Sequence, residues 1–198
     1  MFHRQWLCYC LCISTLGVVS VSLAFAEATL DGQGCVSQLA RADSESQRVA
    51  RDSRAFKGSI AWVADGDSIW IRVDDREIEV RLAGIDAPER DQPYGWESKL
   101  GLVDLVRGRE VKLIPRDVDR HGRIVAQVWV DDIDASRELV RRGLAWFYPA
   151  FSQDPVLRCE ERRAKQHQRG MWALPSPQAP WVRRREMDRL ERKWGSAR

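Results

Sequence analysis

The fold is decided by two neighbouring runs, Ser68-Ile-Trp-Ile-Arg-Val73 and Glu77-Ile-Glu-Val-Arg-Leu82, which are joined by the turn pair Asp74-Asp75. The second run alternates strictly between charged and apolar residues, and the first is rich in β-branched and aromatic residues. Both patterns are typical of β-strands. A third β-rich run, Ser59-Ile-Ala-Trp-Val63, precedes them. The sequence therefore predicts a three-stranded meander.

Helix and strand signals follow the meander in a fixed order. The predicted elements are a helix over Gly95–Val106, strands over Glu110–Ile114 and Ile124–Val130, a helix capped by Asp134 and ending at Gly143, and a helix opened by Asp154-Pro155 and running to about Gln168. Three strands, a helix, two strands and two helices is the order of a five-stranded OB-fold closed β-barrel with appended helices, an α+β fold. Such barrels often bind nucleic acids or sugars, so architecture alone leaves the function open.

The composition fits one well-buried domain with extensions. The chain has 198 residues and a mass of 22.8 kDa, with 44% hydrophobic and 31% charged residues, so it is neither disordered nor collagen-like. Its 27 arginines and 5 lysines oppose 29 acidic residues, giving a net charge of +3. Arginine suits phosphate and carboxylate partners, but this balance does not require an anionic partner.

The N-terminus has the pattern of a secretory signal peptide over residues 1–26. A short basic start is followed by residues 5–26, which carry no charge and end in Leu23-Ala-Phe-Ala26, with small residues placed for cleavage after Ala26. We expect a secreted or periplasmic protein without stable membrane association after cleavage. The alternative is an uncleaved membrane anchor, since about 20 apolar residues also span a bilayer.

Two cysteines, Cys35 and Cys159, remain after removal of the leader. In an oxidising compartment an even pair predicts a disulfide, and the alternative is two separate buried thiols. The mature chain then divides into a polar lead-in (residues 27–55), the barrel domain (residues 56–173) and a proline-containing linker with a basic tail (residues 174–198).

The tail carries Met187, Leu190 and Trp194 at helical spacing within an arginine-rich segment. This pattern predicts a docked amphipathic helix with its basic face in solvent. The alternative is a dedicated nucleic-acid-binding arm.

Acidic residues cluster at two places that a meander can bring together. Asp65-Gly66-Asp67 lies in the first turn of the meander, and Asp86 and Glu89 follow its third strand. Oxygen ligands of this kind suit a hard cation such as Ca²⁺, although Asp and Gly also occur in turns for backbone reasons. With Arg81 and Arg123 added, the set predicts a phosphoryl-transfer site without a covalent nucleophile. The alternative for each arginine is a surface ion pair.

Four motifs in order resemble the thermonuclease family, the staphylococcal-nuclease-like domains. They are Val63-Ala-Asp-Gly-Asp-Ser68, Arg81-Leu-Ala-Gly-Ile-Asp-Ala-Pro-Glu89, Asp119-Arg-His-Gly-Arg123 and Leu139-Val-Arg-Arg-Gly-Leu-Ala-Trp146. The resemblance covers about Phe56 to Trp172. It implies a five-stranded OB barrel and Ca²⁺-dependent hydrolysis of DNA and RNA that leaves 3′-phosphates and 5′-hydroxyls.

The resemblance also implies a calcium site. It places Asp67 and Asp86 as the metal-binding carboxylates and the backbone carbonyl of Ala87 as a further ligand, although the family usually has Thr at that position. Asp65 matches an acidic residue close to the metal rather than a firm ligand.

The remaining roles concern the substrate. By resemblance, Glu89 is the general base, a role disputed within the family, and Arg81 and Arg123 bind phosphate. Tyr148 and Trp146 follow the fourth motif, where the family carries base-stacking tyrosines, and their alternative role is packing between barrel and helix. We therefore expect a secreted monomeric nuclease acting on DNA and RNA. The alternative is a non-catalytic OB-fold module of the cell envelope that binds nucleic acid or protein.

Overall fold

The computed structural model describes residues 34, 35, 37–40 and 55–195. The predicted signal peptide and nearly all of the predicted lead-in lie outside these residues. None of the helices in the described ranges is both long and apolar enough to cross a bilayer.

Eight strands form the β-structure of the described chain. They are β1 (Phe56–Val63), β2 (Ser68–Val73), β3 (Arg76–Leu82), β4 (Ile85–Asp86), β5 (Glu110–Val118), β6 (Ile124–Val130), β7 (Ile133–Asp134) and β8 (Trp146–Phe147). Strands β4 and β8 have two residues each and pair only with one another, with Asp86 opposite Trp146.

Five strands close into a barrel. Their sheet runs in the order β3-β2-β1-β5-β6, and β3 also pairs with β6, in parallel, so that the first and last strands meet. The predicted meander is β1, β2 and β3, and all of its neighbouring pairs are antiparallel. The predicted five-stranded OB barrel with helices is confirmed.

The alternation in β3 determines which side chains enter the barrel. Val80 and Leu82 are buried in the core, whereas Glu79 and Arg81 alternate with them and point to the opposite face. Ile69 and Ile71 of β2 fill the interior beside them. A one-residue shift of register would turn these apolar side chains outwards, so burial of one face fixes the position of Arg81.

Strand β5 is longer than the sequence predicted. The prediction ended at Ile114, but the strand continues to Val118. Its pairing with β6 shifts register between Pro115 and Asp117, which leaves one residue more on β5 than on β6. Proline cannot donate a backbone hydrogen bond and is accepted in strands near such bulges, and a local pattern does not reveal a bulge.

Within residues 55–195, four helices surround the barrel, with a single 3-10 turn between the third and fourth. They are α1 (Gly95–Val106), α2 (Ala135–Arg141), α3 (Pro155–Gln166) and α4 (Pro180–Gly195), and the turn is Gly170–Ala173. Asp134 and Asp154 cap α2 and α3, as predicted, by accepting backbone hydrogen bonds from Arg137 and Val156.

The predicted disulfide joins the N-terminal segment to α3. Cys35 lies in a short helical segment that includes residues 34, 35 and 37–40, and its Cα is 5.5 Å from that of Cys159 on α3. Cys35, Leu39 and Cys159 form a small buried cluster of their own against Val156.

The predicted orientation of the tail helix is wrong. The apolar stripe of α4 lies in solvent: Met187, Leu190 and Trp194 are 37%, 45% and 69% exposed. The helix contacts the domain instead through Trp181 and the arginines of its first two turns. The apolar periodicity correctly indicated a helix, but charge pairing across the fold determines which side of it docks.

Candidate active site

The turn between β1 and β2 fixes Asp67. Asp65 accepts a hydrogen bond from the backbone N–H of Asp67 (3.0 Å), which closes the turn around Gly66. A Cβ at Gly66 would lie 2.0 Å from the Ser98 hydroxyl oxygen, so a side chain there has no room. Ser98 is itself held by a hydrogen bond to the carbonyl of Leu144 (2.6 Å). The turn therefore packs directly on α1, and the Asp67 carboxylate is buried, at 3% exposed.

Arg81 joins the two predicted metal-binding carboxylates. Its Nη1 donates to Asp67 Oδ1 at 2.9 Å, and its Nη2 donates to Asp86 Oδ1 at 2.7 Å. Asp67 also accepts from the Ser68 hydroxyl (3.0 Å) and from the backbone N–H of Ala87 (2.8 Å). The outward face of β3 and the short strand β4 thus bring residues from both acidic motifs to one point.

The electrostatics of this cluster show a concentration of negative charge. Burial raises the pKa of Asp67 to about 7, against the lowering effect of Arg81, while Asp65 and Asp86 raise it further. Burial by itself lowers the pKa of Arg81, but Asp67 and Asp86 outweigh it and the pKa is raised. One guanidinium does not balance three carboxylates, so additional positive charge at this point is favourable, and Arg184 of α4 supplies such a charge in this structure.

Glu89 is presented by a tight loop before α1. Its backbone N–H donates to the Gln92 side chain (2.9 Å), and its carbonyl accepts from the Gln92 N–H (2.9 Å). A Cβ at Gly95 would lie 2.1 Å from the Glu89 carbonyl oxygen, so the start of α1 packs against the loop. The Gln92 side chain also donates to the carbonyl of Gln178, in the segment leading to α4 (3.0 Å).

Arg123 lies at the border of the same cluster. It pairs with Asp119 through Nη2 and Nε at 2.7 and 2.8 Å, and its Nη1 is 3.4 Å from the Ser68 hydroxyl that donates to Asp67. The hydrogen bonds from Arg123 outweigh desolvation and lower the pKa of Asp119. The structure therefore brings together Asp65, Asp67, Arg81, Asp86, Ala87, Glu89 and Arg123.

The predicted base-stacking residues are already in contact with α4. Tyr148 stacks on Trp181, with ring centroids 5.0 Å apart and planes 6° apart. Trp146 packs edge-on against Trp172 (4.4 Å) and Trp181 (5.6 Å). The packing role left open by the sequence thus holds for Trp146 and Tyr148 in this state of the molecule.

Arg184 is a site residue that sequence reasoning missed. Its Nη2 donates to Asp86 Oδ2 (2.6 Å) and its Nη1 to Glu89 Oε1 (2.6 Å), with a longer contact to Asp86 Oδ1 (3.3 Å). Partial burial by itself lowers the pKa of Arg184, but both carboxylates outweigh it and the pKa is raised. The contact spans 95 to 98 residues of chain, and the arginine-rich tail was its one signal in the sequence.

A broad cleft adjoins the cluster. It has a volume of about 710 Å³ and is bordered by Glu89, Arg120 and Tyr148 on the domain side and by charged side chains, Trp181 and Met187 of α4 on the other. The cleft is large enough for a nucleotide-sized group, and ligand sites typically occupy cavities of this size.

A family model described as staphylococcal nuclease homologue matches residues 79–174. An Escherichia coli protein named as an uncharacterised endonuclease is 38% identical over 126 residues, which cover 63% of this chain and 82% of that protein. The chain belongs to the staphylococcal nuclease family. A protein of Shigella flexneri named micrococcal nuclease is 34% identical over 143 residues, covering 66% of this chain and 81% of its own length.

A plant relative of this family member is much longer. A probable staphylococcal-like nuclease of Oryza sativa subsp. japonica is 35% identical over 155 residues, which cover 75% of this chain but 47% of that protein. The chain thus spans about half the length of the rice relative. The family resemblance stated from the four motifs is confirmed.

The donors at the site fit a hard cation. Among the described residues no three acidic, histidine or cysteine side chains converge as a metal cluster. Asp67 and Asp86 nevertheless lie on either side of one guanidinium, and Asp65 lies in the same turn as Asp67, so carboxylate oxygens converge there. Carboxylate oxygens, completed by a backbone carbonyl and water, are the ligands that Ca²⁺ takes.

Proposed function

We propose that this family member is a secreted, calcium-dependent nuclease that hydrolyses phosphodiester bonds of DNA and RNA and leaves 3′-phosphates and 5′-hydroxyls. One observation carries the proposal: Arg81 joins Asp67 and Asp86 in one cluster, which Arg123 reaches through the Ser68 hydroxyl, and Glu89 borders the cleft beside it. Membership of a nuclease family and relatives named as endonucleases support it.

The two arginines serve the phosphate. Arg81 is held by the carboxylates on the outer face of β3, and Arg123 is held by Asp119 just before β6. Both present forked N–H donors, which match the oxygens of a phosphodiester, and such bonds strengthen as negative charge builds in the transition state. Because each arginine is positioned by its own carboxylate partners, little ordering is needed when substrate arrives.

Glu89 serves the attacking water. Its carboxylate accepts the water's proton as the oxygen bonds to phosphorus and the bond from phosphorus to the 5′ oxygen breaks, and the leaving 5′ oxygen takes a proton from solvent water to end as a hydroxyl. Asp67, Asp86 and the Ala87 carbonyl, with Asp65 nearby, would hold a Ca²⁺ ion, which would supply positive charge beside the phosphate. A single-stranded or unpaired substrate is favoured, because a base can then reach Tyr148 and stack on it.

The last part of the proposal is that the protein is exported. The leader pattern at residues 1–26 supports cleavage after Ala26, and the Cys35–Cys159 disulfide is of a kind that persists in oxidising compartments. We propose a secreted or periplasmic monomer that acts apart from the membrane. Mass spectrometry of the N-terminus of exported protein tests this, and a retained Met1 would favour the anchored form.

Cleavage of single-stranded DNA and of RNA by the Glu27–Arg198 protein, with Ca²⁺ and with chelator, tests the activity. We expect calcium-dependent cleavage, and a fall of at least about a hundredfold in Glu89→Gln, since a general base contributes about 10²–10⁴-fold. The matched control is Glu97→Gln, an exposed glutamate on α1. Products that carry 3′-phosphates lose negative charge after phosphatase treatment.

The non-catalytic OB-fold module is the other outcome of the same experiment. A folded protein that binds single-stranded DNA but does not cleave it at any calcium concentration, from neutral to alkaline pH, would replace the nuclease proposal with that one.

A further inference from the structure

Helix α4 covers the two positions at which the proposed nuclease would bind calcium and a nucleobase. Arg184 donates to Asp86 and Glu89, and Trp181 covers the ring of Tyr148. We propose that α4 is an autoinhibitory latch, and that calcium and substrate act at the site only after it is displaced. The inference rests on the proposed function, which it deepens by adding regulation of the same site.

The first argument is that arginines already occupy the carboxylate oxygens of Asp86. Asp86 is buried at 1% exposed, and both of its oxygens accept hydrogen bonds: Oδ1 from Arg81 and Oδ2 from Arg184. A cation that approaches Asp86 Oδ2 therefore meets the positive guanidinium of Arg184, which donates to that oxygen at 2.6 Å and opposes binding by like-charge repulsion. Arg81 lies on a strand of the closed barrel, whereas Arg184 lies on a peripheral helix, so Arg184 is the one that can leave.

The second argument is that Trp181 already covers the ring face of Tyr148. Trp181 stacks on Tyr148 nearly in parallel, as a nucleobase stacks on an aromatic side chain. Arg184 lies three residues further on, close to one turn of α4. One short stretch of helix therefore covers the position of the cation and the position of the base together.

The third argument is that, among the described residues, the contacts named for α4 with the barrel domain lie at its start. The first turns of α4 are anchored by the pair of Arg183 with Asp91, by the Arg184 pairs and by the Trp181 stack. Farther along, Leu190 and Trp194 are largely exposed. The arginine side of these ion pairs is partly exposed, so competing charges and salt can weaken them, and release of α4 then requires only that Trp181 leaves Tyr148 and Trp146.

The test compares Arg184→Ala and Arg184→Lys with the unaltered Glu27–Arg198 protein. Isothermal titration calorimetry with Ca²⁺ alone should show about tenfold tighter binding in Arg184→Ala, since loss of one charge-assisted pair of about 1.4 kcal/mol corresponds to a factor of ten. Arg184→Lys keeps the charge but cannot hold both carboxylates at once, so its affinity should lie between the two. Arg189→Ala, which removes a charge from the exposed part of α4, is the matched control.

Hydrogen exchange provides a readout that does not depend on cleavage. Amides of α4 should exchange faster in Arg184→Ala without calcium, and in the unaltered protein once calcium is added. Equal calcium affinities in Arg184→Ala and Arg189→Ala, or exchange of α4 that neither calcium nor Arg184→Ala alters, would overturn the latch. The absence of calcium binding in every variant would overturn it as well.

Cleavage assays on the same proteins separate failure of the latch from failure of the proposed function. A latch predicts that Arg184→Ala cleaves single-stranded DNA at about tenfold lower calcium than the unaltered protein. Cleavage by both proteins with the same calcium dependence would keep the nuclease and refute the latch. Absence of cleavage in both, together with the affinity and exchange differences above, would refute the nuclease and keep the latch.

Discussion

Removing the disulfide between Cys35 and Cys159 should lower the melting temperature by about 10–20 °C. The bond ties the N-terminal segment to α3 across 124 positions of sequence, and the whole barrel lies between its two ends. Reduction leaves the barrel core itself intact, because Cys35 and Cys159 pack in a separate small cluster. The loss of stability therefore comes mainly from the unfolded chain, which gains freedom.

The size of the effect follows from the loop that the bond closes. In the chain-entropy model a loop of about 100 residues is worth about 4.7 kcal/mol, and one of this length is worth about 5 kcal/mol. For a domain of this size each kcal/mol moves the melting temperature by about 2–4 °C. The expected shift is the product of these two quantities.

Circular dichroism melts of the Glu27–Arg198 protein, with and without a phosphine reductant, measure the shift directly. The control is the double variant Cys35→Ser, Cys159→Ser, which should melt at the temperature of the reduced protein and not respond to reductant. An identical melt of the oxidised and reduced proteins, or two free thiols by titration of the native exported protein, would refute the reasoning.

Two further predictions concern a cap and a loop. Burial raises the pKa of Asp134 from its usual 3.8 to about 6, so the folded protein holds this proton more tightly and loses stability as pH rises from about 4 to 6. Asp134→Asn keeps a capping side chain and should be more stable than the unaltered protein at pH 7 by on the order of 1–3 kcal/mol. Urea unfolding at pH 4 and pH 7 measures this, and a stability difference between the two proteins that is the same at both pH values would contradict it. Gly95→Ala pushes a Cβ against the Glu89 carbonyl and should reduce cleavage by about 10–100-fold. The control Gly101→Ala meets only the flexible end of Leu144 and should keep its activity. Equal cleavage rates in the two folded variants would contradict the role of this loop in positioning Glu89.

The barrel could be predicted because its signals are local. The alternation in β3 and the β-branched run in β2 report burial of one face, and the caps Asp134 and Asp154 fix the starts of two helices. The extension of β5 past Pro115 could not be read in the same way. It depends on a bulge, and a bulge is set by pairing with another strand.

The candidate site likewise contains residues that local motifs reveal and one residue that they do not. Asp67, Asp86, Glu89 and Arg81 stand in short motifs whose order and spacing are visible in one sequence. Arg184 has no motif, and its contact with Asp86 arises because α4 returns across the site after a linker. An apolar stripe predicts that a helix forms but does not predict its partner, and here the charged side of the helix docks.

The disulfide also has a consequence for the integrity of the protein after cleavage of its backbone. Asp67 and Arg81 come from the part of the chain before the exposed turn at Gly108, and Arg123 comes from the part after it. A protease that cuts at this turn would separate these groups into two pieces, but Cys35 lies on one piece and Cys159 on the other. The two pieces would remain covalently joined, so reassembly of a nicked molecule would be intramolecular and independent of its concentration.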